Sequence, residues 1–330
     1  RAQANSGRQV SALVVNSGQA NCATGERGVW NNEDYAGLAA AALGLDSPNQ
    51  VLTASTGVVG VQLPMATLRA GLPRLADSLG ERSSPFARAI VTTDSVTKQV
   101  AADLPGGGRI VGVAKGSGMI HPNMGTMFAF VLTDVAIGQE TLRRIWSGTV
   151  ERTFNQVTVD GDTSPNDMAI AISSGRVQED ERLFAAALAQ VCRKLARKIA
   201  ADGEGASTLL SVAVEGARSP QEARVAARTV AASPLVKTAV HGRDPNWGRI
   251  LVALGRSGAS FNPDAVAIRL EDTLVFEGEP VEFDEAAVSG DLDRGEVRIA
   301  IDLAVGSHGG EAWGCDLSSE YVRINADYTT

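Results

Sequence analysis

Short apolar runs that end in glycine alternate along this chain with stretches of helical periodicity, and that alternation confines it to folds that use both strands and helices. "SALVVNSG" (11–18) and "VLTASTGVVG" (51–60) read as buried strands ending in glycine turns. Between them "NNEDYAGLAAAALGL" (31–45) reads as a helix capped by Asn or Asp. "PMATLRAGLPRLADSLG" (64–80) reads as a second helix, interrupted by Pro73. "RAIVTTDS" and "RIVGVAKG" are further strands, and "TMFAFVLTDVAI" (126–137) is the most apolar one. A helix at 139–154 precedes a strand pair around "VTVDGDTSPNDMAIAISSG" (157–175). The longest helix is expected over 180–203, with Leu183, Ala187, Val191 and Leu195 on its core face. After "DGEGA" (202–206) the texture changes to alternating apolar and polar residues, as in half-exposed antiparallel strands. A domain boundary is placed there, giving a main domain over 1–205 and a smaller one over 206–330.

Composition narrows the function. The length of 330 residues suggests about two domains, and 44% hydrophobic residues supply a core. A formal net charge of −8, with no Lys/Arg cluster, argues against nucleic-acid or anionic-membrane binding. Cys22, Cys192 and Cys315 are far apart, odd in number and lack CxxC spacing, which argues against a disulfide scaffold or zinc site and fits a reducing cytoplasm. No HExxH includes His121, His241 or His308, so no metal is called. No segment approaches about 18 uninterrupted apolar residues. The N-terminus has no signal-peptide core and enters a strand so early that an upstream piece is expected to be missing.

Several candidates for chemistry are weak. "AKGSG" resembles a phosphate loop, but Lys115 precedes the glycines where a Walker A lysine follows them. Ser95 and Lys98 form an SxxK pair without the SDN or KTG that would complete a penicillin-binding site, and such pairs are common on solvated surfaces. Cys192 falls on the apolar face of the long helix and reads as core. His121, before Pro122, reads as a hydrogen-bonded turn residue. "DPNWGR" reads as a loop whose Asp244 or Asn246 caps the helix beyond it, and "TVDGDTSPND" as tight turns held by Asp and Asn side chains.

Thr126 is different. It opens an apolar strand directly after Gly125. A threonine there is ordinarily β-branched filler. Glycine before it also gives an unhindered carbonyl that the hydroxyl can attack, forming an ester that water cleaves. The new N-terminal threonine carries a hydroxyl nucleophile and an α-amine of pKa about 7.7–8.0, so one residue supplies nucleophile and base.

The block "KGSGMIHPNMGTM" (115–127) resembles the self-cleavage segment of the ornithine acetyltransferase family, the bifunctional glutamate N-acetyltransferases of the acetylated arginine pathway. "VVNSGQANCATGERG" (14–28), "ASTGVVG" (54–60), "VTTD" (91–94), "TVDGDTSPND" (158–167), "DGEGA" (202–206), "LVKTAVHGRDPNWGRI" (235–250) and "EAWGCDLSSEYVRINADYTT" (311–330) resemble further family blocks in the same order. The resemblance runs end to end. It implies a layered α/β fold, an αββα-type sandwich of the N-terminal-nucleophile-like kind with a smaller α+β C-terminal domain whose tail returns to the active site.

It also implies roles. Thr126 resembles the nucleophile released by cleavage of Gly125–Thr126, and Thr56 and Gly57 resemble the oxyanion hole. Thr92, Lys115, Thr126, Glu204, Asn325 and Thr330 resemble substrate-binding positions. Lys115 suits a substrate carboxylate and Glu204 an ammonium. Read from the residues alone, Lys115 positions the cleavage loop and Glu204 caps the turn after its helix. The reaction implied moves acetyl from N2-acetylornithine to glutamate through acetyl-Thr126, with acetyl-CoA a second donor if the enzyme is bifunctional, and with no metal or organic cofactor. The cleaved chains are expected to associate as a heterotetramer, two of each. The competing readings are an N-terminal-nucleophile aminopeptidase or amidase, and an uncleaved binding protein for acetylated amino acids. Two departures stand out: the family usually has alanine where Gly125 stands, and several dozen more residues upstream.

Overall fold

The computed structural model describes residues 10–121 and 127–327, in two compact units. Gly125, Thr126 and Thr330 lie outside the described residues. One unit spans the described residues up to Thr92 together with Pro165–Met168. It holds β1 (Ala12–Gln19), α1 (Gly25–Ala42), β2 (Val51–Val58), α2 (Met65–Asp77) and α3 (Ser84–Ala89). β1 and β2 pair in parallel, Ala12 opposite Val51 through Gln19 opposite Val58. The helices close a core of Val14, Tyr35, Ala39, Val51, Leu63 and Leu72 over this pair.

Three expectations change here. α1 begins at Gly25, well before Asn31, because Asn21 and Thr24 fold the preceding loop back: Asn21 Nδ2 donates to Gly28 O at 3.0 Å. α2 runs through Pro73, which lies on the exposed side where the carbonyl left without its donor meets water. "RAIVTTDS" forms no strand. Pro85 opens α3 and carries Arg88 and Ala89 with it.

The other unit spans Thr93–Ser164 and the described residues from Ala169. β3 (Lys98–Asp103), β4 (Arg109–Lys115), β5 (Phe128–Val135) and β6 (Met168–Val177) form one sheet in that order. α4 (Gln139–Arg152) and α5 (Glu181–Ala201) share a core with it, and α5 packs along β3 and β4. The core face of α5 is Phe184, Leu188, Val191, Cys192, Leu195 and Ile199, each at most 1% exposed. Leu183, expected on that face, is 49% exposed. A fully buried side chain of this size contributes about 1.5–3 kcal/mol, so Phe184 and Leu188 set the helix phase. The strand pair expected over 157–175 is one strand. Residues 158–167 form no strand: Asp160 accepts from Asp162 N at 3.2 Å and from the distant Ile120 N, and Thr163 Oγ1 donates to the distant His121 O.

Beyond the turn at 202–208, β7 (Leu209–Ala217), α6 (Pro220–Ala231), α7 (Pro234–His241), α8 (Trp247–Gly255), β8 (Ala267–Leu270), β9 (Thr273–Glu277), β10 (Glu279–Pro280), α9 (Glu285–Asp291), β11 (Glu296–Asp302), β12 (His308–Cys315) and α10 (Ser319–Asp327) follow. The second sheet has the order β10-β9-β8-β11-β7-β12, with a separate core under α6 and α8. β7 and β11 pair in parallel rather than antiparallel, since the long excursion through α6 to α9 brings the chain back in the same direction. Asn246 caps α8 as expected, accepting from Arg249 N at 3.1 Å. Among the described residues no helix is long and apolar enough to cross a membrane, and no group of three His, Cys, Asp or Glu could hold a metal ion.

Asp316, just after β12, ties the chain entering β7 to the end of α7. Its buried carboxylate accepts from Ser207 N at 2.8 Å, Ser207 Oγ at 2.7 Å, Thr208 N at 2.9 Å and His241 Nδ1 at 2.7 Å. Burial pushes its pKa up, but the Ser207 and His241 donors with the two backbone N–H groups outweigh burial and hold it below the ordinary value. Asp316→Ala strands these donors and is expected to lower unfolding stability by about 3 kcal/mol, read by urea titration. A depressed carboxyl pKa contributes stability above the unfolded value, about 3.9, and loses it as pH falls below that. The wild-type advantage over the variant should therefore shrink on acidification below about pH 4.

Candidate functional site

Lys115 closes β4, directly opposite Phe128. It is buried, and its Nζ lies 5.7 Å from the centre of the Phe128 ring, a distance at which the ring face attracts a cation. The segment after it is tied down residue by residue. Gly116 N donates to Asp94 Oδ1 at 2.6 Å, and Ser117 Oγ donates to Asp202 O at 2.6 Å. Ile120 N donates to Asp160 Oδ1 at 2.9 Å, and Thr163 Oγ1 to His121 O at 2.8 Å. The chain is thus tethered by hydrogen bonds as far as His121.

His121 Nδ1 lies 2.9 Å from Thr158 Oγ1, the hydrogen-bonded turn setting expected of it. Burial, aided by the Arg228 cation, lowers its pKa and keeps the imidazole neutral at pH 7. Asp160 goes the other way. Burial raises its carboxyl pKa in spite of the N–H groups that point at it.

Glu204 follows α5, and its N–H donates to Ser117 O at 2.9 Å. Its carboxylate accepts from Asn325 Nδ2 at 2.9 Å, so the side chain reaches α10 rather than capping the end of α5. The glycines around it have a direct cause. A Cβ on Gly118 would stand 2.4 Å from Glu204 Oε1, and one on Gly205 would stand 2.4 Å from Tyr321 N. Only glycine lets the Glu204 carboxylate and the start of α10 come this close. Lys115 therefore stands at the start of the short segment 115–118 and the Glu204 carboxylate beside its end at Gly118.

Thr56 and Gly57 lie in the other unit, near the end of β2. Thr56 is buried, and Gly57 has φ +126° and pairs across the parallel ladder with Gly18. Asn166 Nδ2 donates to Ser55 O at 3.0 Å and to Ala20 O, pinning the end of this strand pair. From its sequence context Asn166 reads only as part of a tight turn. Thr92 is exposed, at the end of the same unit.

A second correction concerns Ser95 and Lys98. Ser95 is exposed, but Lys98 is not on a solvated surface: it is 0% exposed. Its Nζ donates to Asp94 Oδ1 at 2.6 Å and to Asp202 Oδ2. Ser95 Oγ donates to Asp202 as well, so the serine is engaged as a hydrogen-bond donor. Burial raises the Asp94 pKa, but the Lys98 ammonium, Gly116 N–H and Lys115 ammonium outweigh it and hold the carboxyl below its ordinary value. Cys192 and Cys315 are buried thiols, and burial raises the pKa of both.

Comparison with known proteins places this arrangement. The model of the ArgJ family matches residues 1–330. The arginine biosynthesis bifunctional protein ArgJ of Deinococcus radiodurans is 53% identical over 326 residues, covering 98% of this chain and 84% of that protein. That of Thermus thermophilus is 52% identical over the same length and the same shares. The crystal structure of the Bacillus halodurans arginine biosynthesis bifunctional protein argJ superposes with a TM-score of 0.59 at 41% identity, covering 60% of this chain and 98% of that one. With its whole length matched by one family model, and half its residues identical to those of two curated relatives, this chain belongs to the ArgJ family.

Proposed function

We propose that the chain is a self-cleaving acetyltransferase of arginine biosynthesis, moving acetyl from N2-acetylornithine to glutamate through an acetyl-Thr126 intermediate. The observation that carries this is the end-to-end family match, together with the bonds that tie the turn bearing Glu204 to Ser117, two residues after Lys115. Thr126 Oγ first attacks the Gly125 carbonyl. The acyl group shifts from nitrogen to oxygen, which frees the Thr126 amine, and water then cleaves the ester to release the Gly125 carboxylate and the Thr126 hydroxyl. In turnover Thr126 Oγ attacks the acetyl carbonyl and its own amine takes the proton. Thr56 Oγ1 and Gly57 N–H hold the developing oxyanion.

Ornithine leaves as the protonated amine, carrying off the proton that the Thr126 amine held. Glutamate then attacks the acetyl ester and departs as N-acetylglutamate. Lys115 attracts the substrate carboxylate, Glu204 with Asn325 the ornithine ammonium, and Thr92 and Thr330 complete the binding set. No step needs a metal or organic cofactor, and acetyl-CoA serves as a second acetyl donor in the bifunctional form. The Asn325–Glu204 hydrogen bond supports a C-terminal tail that returns to the site. The same reading places the enzyme in the cytoplasm as two copies of each fragment.

Mass spectrometry of the protein incubated with acetylornithine tests the mechanism. Fragments 1–125 and 126–330 are expected, the second heavier by one acetyl group. Release of acetate without glutamate-dependent transfer would assign an amidase instead. A single inactive full-length band would leave only a binding protein.

A further inference from the structure

Lysine is rarely buried unless paired, and Lys98 is completely buried at the start of β3, directly opposite Ala114 and thus one residue from Lys115. Its ammonium joins two carboxylates that are far apart in sequence. Asp94 uses the same Oδ1 to accept from Lys98 Nζ and from Gly116 N, both at 2.6 Å. Asp202, the residue after α5, accepts from Lys98 Nζ, from Ser95 Oγ and from Ser95 N at 3.2 Å. From Asp202 the chain continues two residues to Glu204, and Asp202 O takes the Ser117 hydroxyl at 2.6 Å. The two branches meet on the segment 116–117, one holding the residue after Lys115 and the other the turn that carries Glu204.

We propose that Lys98 is a positioning residue: through Asp94 and Asp202 it locks the Lys115 strand end to the Glu204 turn, so that the carboxylate-binding cation and the ammonium-binding anion are set at one fixed spacing for an α-amino-acid substrate. This rests on the proposed function for the identity of the substrate. The physical case is the cost of the alternative. Two carboxylates and an ammonium taken out of water are tolerated when their geometry and added hydrogen bonds are good. Here two of the added bonds, from Gly116 N to Asp94 and from Ser117 Oγ to Asp202 O, go to the loop that follows Lys115, while Ser95 and Val96 supply the rest. Lys98 touches no substrate on this reading. It acts only through the placement of Lys115 and Glu204.

A positioning role predicts a loss of binding with the chemistry spared, since Thr126 and the oxyanion donors are untouched. Lys98→Met is expected to raise KM for glutamate and acetylornithine more than tenfold, with kcat at saturation within about threefold and cleavage complete. Ser117→Ala, which removes only the tether to Asp202 and leaves the ion pairs, is expected to raise KM three- to tenfold. Asp94→Ala should match Lys98→Met, while Asp94→Asn, which keeps the oxygen that accepts both bonds, recovers most of the loss.

Calorimetric binding of acetylornithine to each variant, made in the Thr126→Ala background, reads the same ratios without turnover. If wild type fails to transfer acetyl, the functional reading falls, and the binding ratios still judge the clamp. Folded Lys98→Met and Ser117→Ala proteins with wild-type KM and affinity, and only a lowered Tm, would overturn the proposal and leave the cluster a stability feature. Should Lys98→Met not fold, Ser117→Ala and the Asp94 pair decide alone.

Discussion

Thr126→Ala is expected to leave the protein as one 330-residue chain and to lower acetyl transfer by about 10⁴-fold or more. The magnitude follows from what one residue supplies. The hydroxyl is the nucleophile of both self-cleavage and turnover, and the α-amine that serves as its base does not exist until cleavage has occurred. Removing the hydroxyl therefore removes the base as well. His121 Nδ1 is already engaged with Thr158 Oγ1.

The same argument fixes a pH signature. The α-amine has an ordinary pKa of about 7.7–8.0 and must be unprotonated to accept a proton, so wild-type activity should rise with pH through that range. His121 titrates below its ordinary 6.5, so a limb above pH 7 cannot come from it. Denaturing electrophoresis and a glutamate-dependent transfer assay check the first outcome. Acetylornithine binding, resting on Lys115, Glu204 and Asn325, should survive the substitution and show that the fold is intact. Transfer at the wild-type rate by Thr126→Ala would remove Thr126 from the mechanism.

How much of this was legible in the sequence depended on whether a residue's reason lay near it in the chain. The helices at 139–152 and 181–201 and the Asn246 cap are governed by local periodicity and by a cap within three residues, and all were read correctly in kind. The phase of α5 was not, because Leu183 and Phe184 are equally apolar and only the sheet under the helix selects Phe184. The parallel pairing of β7 with β11 depends on an excursion of several elements, which an alternating pattern within one strand does not encode.

At the site, "DGEGA" stands out as a motif, while the reason for its glycines lies at Cys315, beside Gly203, and at Tyr321, beside Gly205. Lys98 was misread because SxxK is a short pattern and its two aspartates sit at 94 and 202. The signal that could have found it was an Asp–Lys pair at i, i+4 just before an apolar strand. Asn166 likewise binds the ends of β1 and β2 from far along the chain.

The second large effect is expected at Thr56. If its hydroxyl and the Gly57 N–H hold the oxyanion, Thr56→Ala removes one of two donors at the tetrahedral stage and should lower kcat by about 10²–10³, equivalent to about 2.7–4 kcal/mol of transition-state stabilisation. The donor acts where negative charge develops, so kcat and kcat/KM should fall together and KM should hardly move. That is the opposite split from the one expected at Lys98, which makes the two variants controls for each other.

Self-cleavage passes through its own tetrahedral intermediate, so the time course of fragment formation should slow in Thr56→Ala as well. Thr56→Ser, which keeps the hydroxyl, should restore both rates. Gly57 cannot be tested in the same way. At φ +126° it has a backbone conformation that side chains disfavour, and a Cβ there would stand 2.3 Å from the Gly18 carbonyl carbon. Gly57→Ala must therefore displace the β1–β2 pair before it alters any donor, and its activity loss should come with a lowered Tm. A Thr56→Ala protein that raises KM while leaving kcat unchanged would show the hydroxyl binding substrate in the ground state, and the oxyanion role would then fall to other groups.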